Sequence, residues 1–149
     1  MSDPVPRAVL DTNACLDLFV FADPRAAALH SAIRVGEVVA VTNAECRSEW
    51  LRVLDYPQLQ LDDAARAAAT AAFDAQVYCV PDAAPATLPM PRCKDPDDQK
   101  FLQLALAAGA RWLVSRDRHV LALGRRTRRD GLFEIVTPDA WVGLPADNP

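Results

Sequence analysis

Residues 95–117 read DPDDQKFLQLALAAGARWLVSRD and contain the clearest helix in the chain, followed directly by a strand. Asp95 and Pro96 are typical of a helix start, because aspartate caps a helix and proline suits its first position. Gly109 is a typical helix stop. Residues 112–114 form a short run of apolar side chains, which predicts a strand that is buried on both faces. This stretch therefore predicts the α/β class of fold.

The same alternation of strands and helices continues on both sides of this stretch. Further strands are predicted at residues 8–10, 37–42, 77–80 and 133–136, and further helices at residues 25–35, 43–54, 62–75 and 118–123. Loops are predicted as a polar segment at residues 11–13, a proline-rich segment at residues 81–93 and an arginine-rich segment before the last strand, with a short helix after Pro138. The strands lack polar alternation, which indicates a parallel sheet with helices on both faces.

We therefore predict a three-layer α/β/α architecture with a central parallel sheet of about five strands. Residues 1–149 are interpreted as one domain, with a core over about residues 7–143 and short flexible tails. A chain of this length can bury a hydrophobic core without a disulfide or a structural metal.

Cysteine usage and hydropathy indicate a cytoplasmic protein. Cys15, Cys46, Cys79 and Cys93 are separated by 31, 33 and 14 residues, so the chain has no C-x-x-C pair. This spacing argues against a zinc site or a disulfide framework and favours reduced, mostly buried thiols. The chain shows neither a signal-peptide pattern nor an apolar run of the roughly 18 residues that a membrane span requires. We expect no association with a membrane.

Charge is distributed unevenly along the chain. The net charge is −4, but residues 111–130 contain seven arginines and two aspartates, a local excess of +5, which leaves −9 on the remainder. A basic rim beside an acidic pocket would suit a metal site that binds a phosphate backbone. The alternative for the basic stretch is an ordinary solvated loop.

Acidic residues follow two predicted strands and precede the clearest helix. Asp11 ends the first strand, Asp117 ends the fourth, and Asp95, Asp97 and Asp98 lie where a loop enters the helix. Binding sites of open parallel sheets form at the carboxyl ends of the strands, so these acids are expected to converge. Crowded carboxylates repel one another unless a cation neutralises them, and hard oxygen ligands favour Mg²⁺ or Mn²⁺. Such an ion would support attack of water on a phosphodiester.

Helix capping is the competing interpretation of the three clustered aspartates. Asp95 is a natural N-cap, and Asp98 occupies the third helical position, as in a capping box. Asp98 shares a helix face with Phe101, the side expected to pack on the sheet, whereas Asp97 is turned away by about 100°. We therefore predict Asp98 as the ligand, with Asp95 and Asp97 as lesser contributors.

Three motifs resemble those of the PIN domain family. They are VLDTN at residues 9–13, SEWLRVLDYP at residues 48–57, and DPDDQKFL at residues 95–102 with LVSRD at residues 113–117. The likeness covers about residues 7–137. It is nearest to a subgroup of short bacterial PIN proteins, similar to VapC, that are described as toxin components of toxin–antitoxin pairs.

This resemblance implies a parallel sheet between two helical layers and hydrolysis of single-stranded RNA by Mg²⁺- or Mn²⁺-activated water, without a covalent intermediate. The residues that match the family's acidic quartet are Asp11, Glu49, Asp98 and Asp117. Asn13 and Ser115 match the polar residues that support these acids through hydrogen bonds. Glu45 is a rival to Glu49, since it lies four residues earlier on the same helix face.

The partners implied by the resemblance are an RNA substrate, an antitoxin protein and a second copy of the chain. Arg116, Arg125 and Arg126 are candidate RNA contacts. The alternative for Arg116 is an ion pair with an acid of the chain. The alternatives for the other arginines are contacts with an acidic segment of an antitoxin or with water. No sequence feature decides whether the chain forms a homodimer.

Four other functions are alternatives for the same residues. A phosphatase of the haloacid dehalogenase class would need an aspartate where Asn13 stands. A response-regulator receiver domain would need a lysine after a late strand, but Lys94 and Lys100 both precede the fourth strand. A catalytically inactive module that binds RNA or protein would be expected to have lost one of the acids. A DNA nuclease of the same fold would carry extra acids and inserted helices.

Overall fold

Five parallel strands form one central sheet in the computed structural model, which describes residues 4–81 and 90–143. The strands are β1 (Arg7–Leu10), β2 (Val39–Thr42), β3 (Val77–Cys79), β4 (Trp112–Val114) and β5 (Glu134–Val136). Their order across the sheet is β3-β2-β1-β4-β5, and each neighbouring pair is parallel. The prediction of a parallel sheet with about five strands is confirmed.

Helices connect the strands and cover the sheet. They are α1 (Thr12–Phe19), α2 (Ala27–Arg34), α3 (Ala44–Leu54), α4 (Asp63–Gln76), α5 (Gln99–Ala107), α6 (Arg118–Leu121) and α7 (Gly124–Arg129). Short 3-10 turns cover Pro24–Ala26, Pro57–Leu59 and Pro96–Asp98.

Alternate strand residues contribute to two separate hydrophobic cores, because successive side chains of a strand point to opposite faces. One core contains Ala8, Leu10, Ala40, Trp112 and Val114 and packs against side chains of α1, α2, α3 and α4. The other contains Val9, Val41, Leu113 and Ile135 and packs against α5 and α6. Burial on both faces of the sheet is the physical basis of the three-layer architecture, which is confirmed.

Strand β1 is the point of the sheet from which successive strands are added first on one side and then on the other. It runs from β1 outward to β2 and β3, and then crosses to β4 and β5 on the other side. The ends of β1 and β4 lie side by side, with Leu10 opposite Val114. The backbone N–H of Asp11 donates to the carbonyl of Val114 at 3.0 Å. The segments that follow these strands diverge at this point, which is where parallel sheets form their binding clefts.

The predicted polar loop after β1 is wrong, because helix α1 begins at Thr12. The side chain of Asp11 accepts a hydrogen bond from the backbone of Ala14 at 2.8 Å and so caps this helix. Short polar residues are typical both of turns and of helix N-termini, and here the cap decides the conformation.

Other differences from the predicted elements lie at helix ends and in the last third of the chain. The helix expected over 95–109 begins as a 3-10 turn and continues as α5 only to Ala107. The arginine-rich stretch is helical as α7, and residues 138–140 form a turn where a short helix was expected. Most of the predicted proline-rich loop, residues 82–89, and the predicted tails at residues 1–3 and 144–149 lie outside the described residues.

The predicted state of the cysteines is confirmed. All four are free thiols; Cys79 is exposed and the other three are buried. Within residues 4–81 and 90–143, none of the helices has the length and apolarity that crossing a membrane requires.

Candidate active site

Asp11 is a buried acid at the carboxyl end of β1, with an exposed fraction of 3%. One carboxylate oxygen accepts a hydrogen bond from the backbone N–H of Ala14, and the other accepts one from the hydroxyl of Ser115. Burial raises the pKa of Asp11 to about 7. Both hydrogen bonds lower this pKa and the charges of Asp98 and Asp117 raise it, but burial is the largest effect. Asp11 is therefore an acid whose charge the folded protein disfavours unless a cation is near.

Ser115 links Asp11 to Asp117. Its side chain is completely buried at the end of β4. Its hydroxyl donates to Asp11 and accepts the backbone N–H of Asp117 at 3.0 Å. The carboxylate of Asp117 caps α6 by accepting the backbone N–H of His119 at 2.7 Å. One hydroxyl thus connects the carboxylate of Asp11 to the backbone of Asp117.

Asp95, Asp98 and Asp117 form the three-carboxylate cluster: one carboxylate oxygen from each lies within 4.8 Å of the others. Asp95 caps the 3-10 turn through the backbone N–H of Asp97 at 3.0 Å, whereas Asp98 makes no capping bond to α5. Capping therefore accounts for Asp95 but not for Asp98. The pKa of Asp98 is raised to about 6, first by burial and then by the charges of Asp117, Asp95 and Glu49, while the charge of Lys100 lowers it. Asp97 is exposed and outside the cluster.

Glu49 reaches the same edge of the sheet from α3. It is half-buried, and one oxygen accepts the ammonium of Lys100 at 2.8 Å. The other oxygen accepts the hydroxyl of Thr12. Glu45, the rival acid one turn earlier, is exposed. The structure thus brings Glu49, and not Glu45, to the cleft that contains Asp11.

Asp11, Glu49 and Asp98 border an open cleft of about 340 Å³. Its polar side is formed by Asp11, Thr12, Asn13, Glu49 and Asp98, and the remaining lining residues are Leu16, Val53, Tyr56, Gln58, Leu59 and Phe101. Tyr56 is 50% exposed. The cleft therefore combines carboxylates with an apolar wall that carries an exposed aromatic ring.

Asn13, predicted to support the acids, and Arg116, predicted to contact RNA, make no contact with the four acids of the predicted quartet. Asn13 is exposed at the cleft, and no hydrogen bond of its side chain is found among the residues that the structure describes. Arg116 is directed to Asp17, a buried acid of α1, at 2.7 Å. Burial raises the pKa of Asp17, and the charge of Arg116 counteracts this. Of the alternatives for Arg116, the structure shows pairing with an acid.

Arg125 and Arg126 lie on the exposed face of α7, away from the residues that line the cleft. Arg126 approaches Asp130 at 3.9 Å, one turn later on the same helical segment. An exposed pair at this distance contributes little to stability.

The comparison with known protein families agrees with this geometry. The model of the PIN domain matches residues 7–119, which include all four acids of the predicted quartet. This chain belongs to the PIN domain family. PIN domains are generally metal-dependent nucleases, so the fold is a nuclease fold. A comparison with curated proteins gives no match.

The acids of this PIN domain fit a hard divalent cation. The three-carboxylate cluster supplies oxygen ligands, which Mg²⁺ and Mn²⁺ prefer. Among the described residues, the ion pairs of the site acids are limited to that between Glu49 and Lys100, so Asp11 and the cluster have no ion-pair partner of their own. Burial, with a smaller effect of the neighbouring carboxylates, raises the pKa values of Asp11 and Asp98, and a bound cation would lower them.

Three residues of the site region were not predicted. Thr12 and Lys100 bind Glu49, and Asp17 binds Arg116. Thr12 lies between two residues that were predicted, and Lys100 lies two positions after Asp98, but neither spacing indicates a contact with α3. Asp17 interrupts the apolar run of α1, which is the one local signal for a buried acid with a partner.

Proposed function

We propose that this PIN domain is a metal-dependent endoribonuclease that hydrolyses phosphodiester bonds of single-stranded RNA with Mg²⁺ or Mn²⁺. The observation that carries the proposal is the three-carboxylate cluster, whose member Asp98 lines one cleft together with buried Asp11 and Glu49. The acids come from separate strands and helices, so their meeting is not a consequence of local capping alone.

The three-carboxylate cluster of Asp95, Asp98 and Asp117 would hold the ion together with Asp11, with Glu49 beside them. A divalent ion held by these residues would lower the pKa of bound water and would offset the charge of the phosphate. The protein's own residues orient the ligands: the hydroxyl of Ser115 fixes Asp11, and the backbone of α6 fixes Asp117. Preorganised ligands of this kind need no rearrangement during the reaction.

The apolar wall of the cleft supports a single-stranded substrate. Bases of a single strand are free to leave the stack and pack on aromatic side chains, whereas those of a duplex are not. Tyr56 offers such a surface next to Asp11 and Glu49. The choice of RNA over DNA rests on the likeness of the three motifs to the short bacterial subgroup.

The test is cleavage of end-labelled single-stranded RNA in Mn²⁺ or Mg²⁺, with single-stranded DNA in parallel. We expect RNA to be cut, excess EDTA to stop the reaction, and Asp11→Asn to lower the rate at least about 100-fold without unfolding the protein. Glu49→Gln should also lower the rate, whereas the matched control Glu45→Gln should retain it. Circular dichroism checks the fold of each variant.

Three outcomes would contradict the proposal. Cleavage that persists in EDTA would exclude the metal mechanism. Cleavage of DNA alone would favour a DNA nuclease of the same fold. Binding of RNA without cleavage by the wild-type protein would favour an inactive binding module.

We also propose that the protein is the toxin component of a toxin–antitoxin pair. The support is the likeness of residues 48–57 and 95–117 to the VapC-like subgroup. An antitoxin protein and a second copy of the chain are the partners that this role implies. The lack of a small antitoxin gene beside the gene for this chain would count against the role.

A further inference from the structure

We propose that Lys100 is a positioning residue for the hydrolysis described above: with Thr12, it holds the carboxylate of Glu49 beside the three-carboxylate cluster. The three residues Thr12, Glu49 and Lys100 are called the Glu49 clamp below. The inference rests on the proposed function and adds a residue to its machinery.

The Glu49 clamp binds both oxygens of one carboxylate through different donors. The ammonium of Lys100 donates to one oxygen at 2.8 Å, and the hydroxyl of Thr12 donates to the other. The side chains of Lys100 and Glu49 are only 12% and 19% exposed. The ammonium also donates to the backbone carbonyl of Asp97 in its own helical turn. Both partners of the ion pair are therefore fixed, unlike those of a mobile surface pair.

The clamp connects Glu49 to the two segments that carry other acids of the site. Thr12 directly follows Asp11, and Lys100 lies two residues after Asp98. Glu49 itself is on α3, which is remote from both in sequence. A displacement of α3 relative to the other two segments would break a contact of the clamp. The clamp therefore fixes the carboxylate of Glu49 relative to the segments that carry Asp11 and Asp98.

The direct ion pair of Lys100 is with Glu49, and its charge has a smaller effect on Asp98 of the cluster. In the part of the chain that the structure describes, Glu49 forms an ion pair with a lysine, whereas Asp11, Asp95, Asp98 and Asp117 form no ion pair. Without Lys100, the carboxylate of Glu49 would be repelled by Asp98 and drawn toward any bound cation. The carboxylate would then leave the position in which the clamp holds it.

The experiment compares wild-type protein with Lys100→Met, Lys100→Arg, Glu49→Gln and the double variant Lys100→Met/Glu49→Gln. Lys100→Met should lower kcat on single-stranded RNA about 10- to 100-fold, the usual effect of losing a residue that orients a metal-site ligand. KM for RNA should stay the same, and Lys100→Arg should recover most of the kcat. The double variant should be no slower than Glu49→Gln alone, because Lys100 acts through Glu49.

Binding of Mn²⁺ alone, measured by calorimetry, separates positioning from metal affinity. Lys100→Met removes a positive charge next to an acidic site, so it should bind Mn²⁺ at least as tightly as the wild type does. A fall in kcat without a fall in Mn²⁺ affinity is the result that a positioning role predicts.

The lysine ammonium groups provide a readout that needs no activity. The chain has only two lysines, Lys94 and Lys100, so ¹⁵N-lysine labelling yields two assignable ammonium signals. Glu49→Gln should move the signal of Lys100 and leave that of exposed Lys94 in place. Lys94→Met is the matched control and should leave kcat unchanged. If Lys100→Met does not fold, Thr12→Val removes the other donor and should lower kcat in the same direction.

Several results would overturn the inference. An unchanged kcat in Lys100→Met, or no shift of its ammonium signal in Glu49→Gln, would exclude the clamp. Lys100→Met could instead raise KM and lower the number of counterions released on RNA binding by about one. That result would show that Lys100 contacts phosphate directly. A wild-type protein that cuts no RNA would overturn the proposed function first and the positioning role with it. An active wild type with an equally active Lys100→Met would overturn this inference alone.

Discussion

Asp11 caps a helix and is also a ligand of the metal ion in the proposed function, and its two carboxylate oxygens have different partners. One oxygen caps α1 through Ala14, and the other accepts the hydroxyl of Ser115. The cap places the carboxylate at the end of β1, and burial then disfavours its charge. At this position helix capping and metal binding are compatible functions, although sequence patterns present them as alternatives.

The raised pKa of Asp11 predicts how the stability of the metal-free protein depends on pH. In the unfolded chain this carboxyl has its ordinary pKa of 3.8, whereas in the folded protein the value is about 7. Folding therefore favours the protonated form, so its stabilising contribution is complete below about pH 4 and is lost as the pH rises through about 7. Relative to Asp11→Asn, the free energy of unfolding of the wild type should fall by about 3 kcal/mol between about pH 5 and about pH 8.

Urea denaturation in EDTA measures this difference. Comparing the two proteins at each pH cancels the titration of groups that they share. A difference that is constant over this range, or that grows in favour of the wild type with rising pH, would contradict the raised pKa of Asp11.

The wall of the cleft is formed where α3 ends and a 3-10 turn begins. Helix α3 ends at Leu54, and the turn at Pro57–Leu59 follows it. Proline disfavours helical conformation in the residue before it, and Tyr56 is extended at that point. This local break directs the chain along the cleft and leaves Tyr56 half exposed.

Replacing Tyr56 should weaken binding of a single strand. Tyr56→Ala should cost about 1–3 kcal/mol of affinity for a single-stranded RNA in EDTA, the usual contribution of one stacked base. Tyr56→Phe should retain most of the affinity, because the ring remains. Tyr78 is similarly exposed on β3 and does not line the cleft, so Tyr78→Ala is the matched control. Fluorescence anisotropy of a labelled oligonucleotide measures all three, and equal losses for the two alanine variants would contradict the role of the cleft.

The whole sheet assembles the acids from distant parts of the chain. Asp11 and Ser115 are 104 residues apart in sequence and yet share a hydrogen bond. Their approach depends on β1 and β4 being neighbours, which follows from the crossover in the strand order. Folding therefore brings like charges together, and a bound cation would stabilise the assembled site.

Divalent cations should raise the melting temperature of the wild-type protein. At a Mn²⁺ concentration about 100 times the dissociation constant, the stabilisation is about 2.7 kcal/mol. For a chain of this size that corresponds to roughly 5–10 °C. Asp98→Asn should reduce the Mn²⁺-induced shift and raise the stability of the metal-free protein, since one buried charge is removed.

The neighbouring acid provides the control for this prediction. Asp97→Asn removes an exposed charge one residue away and should retain the full Mn²⁺-induced shift. Differential scanning fluorimetry in EDTA and in Mn²⁺ measures all three proteins. An equal loss of the shift in both variants would show that Mn²⁺ responds to general surface charge and not to the three-carboxylate cluster.

The sequence by itself determined the α/β class, the five strands, most of the helices and Asp11 as an acid at a strand end. These features depend on apolar runs and on helix start and stop residues that span only a few positions. They can therefore be predicted without knowledge of distant contacts. Local signals were ambiguous where a polar segment suits both a turn and a helix start, so α1 was missed, and the arginine-rich helix α7 was taken for a loop.

Only the tertiary structure decided which side chains meet at the cleft. It brought Glu49, and not Glu45, to Asp11, joined Glu49 to Lys100 across 51 residues, and directed Arg116 to Asp17 across 99. Such contacts depend on how α1, α3 and α5 pack around the sheet, and no spacing along the chain encodes that packing. Periodicity specifies which face of an element is buried, whereas the partner across the interface is specified by the fold as a whole.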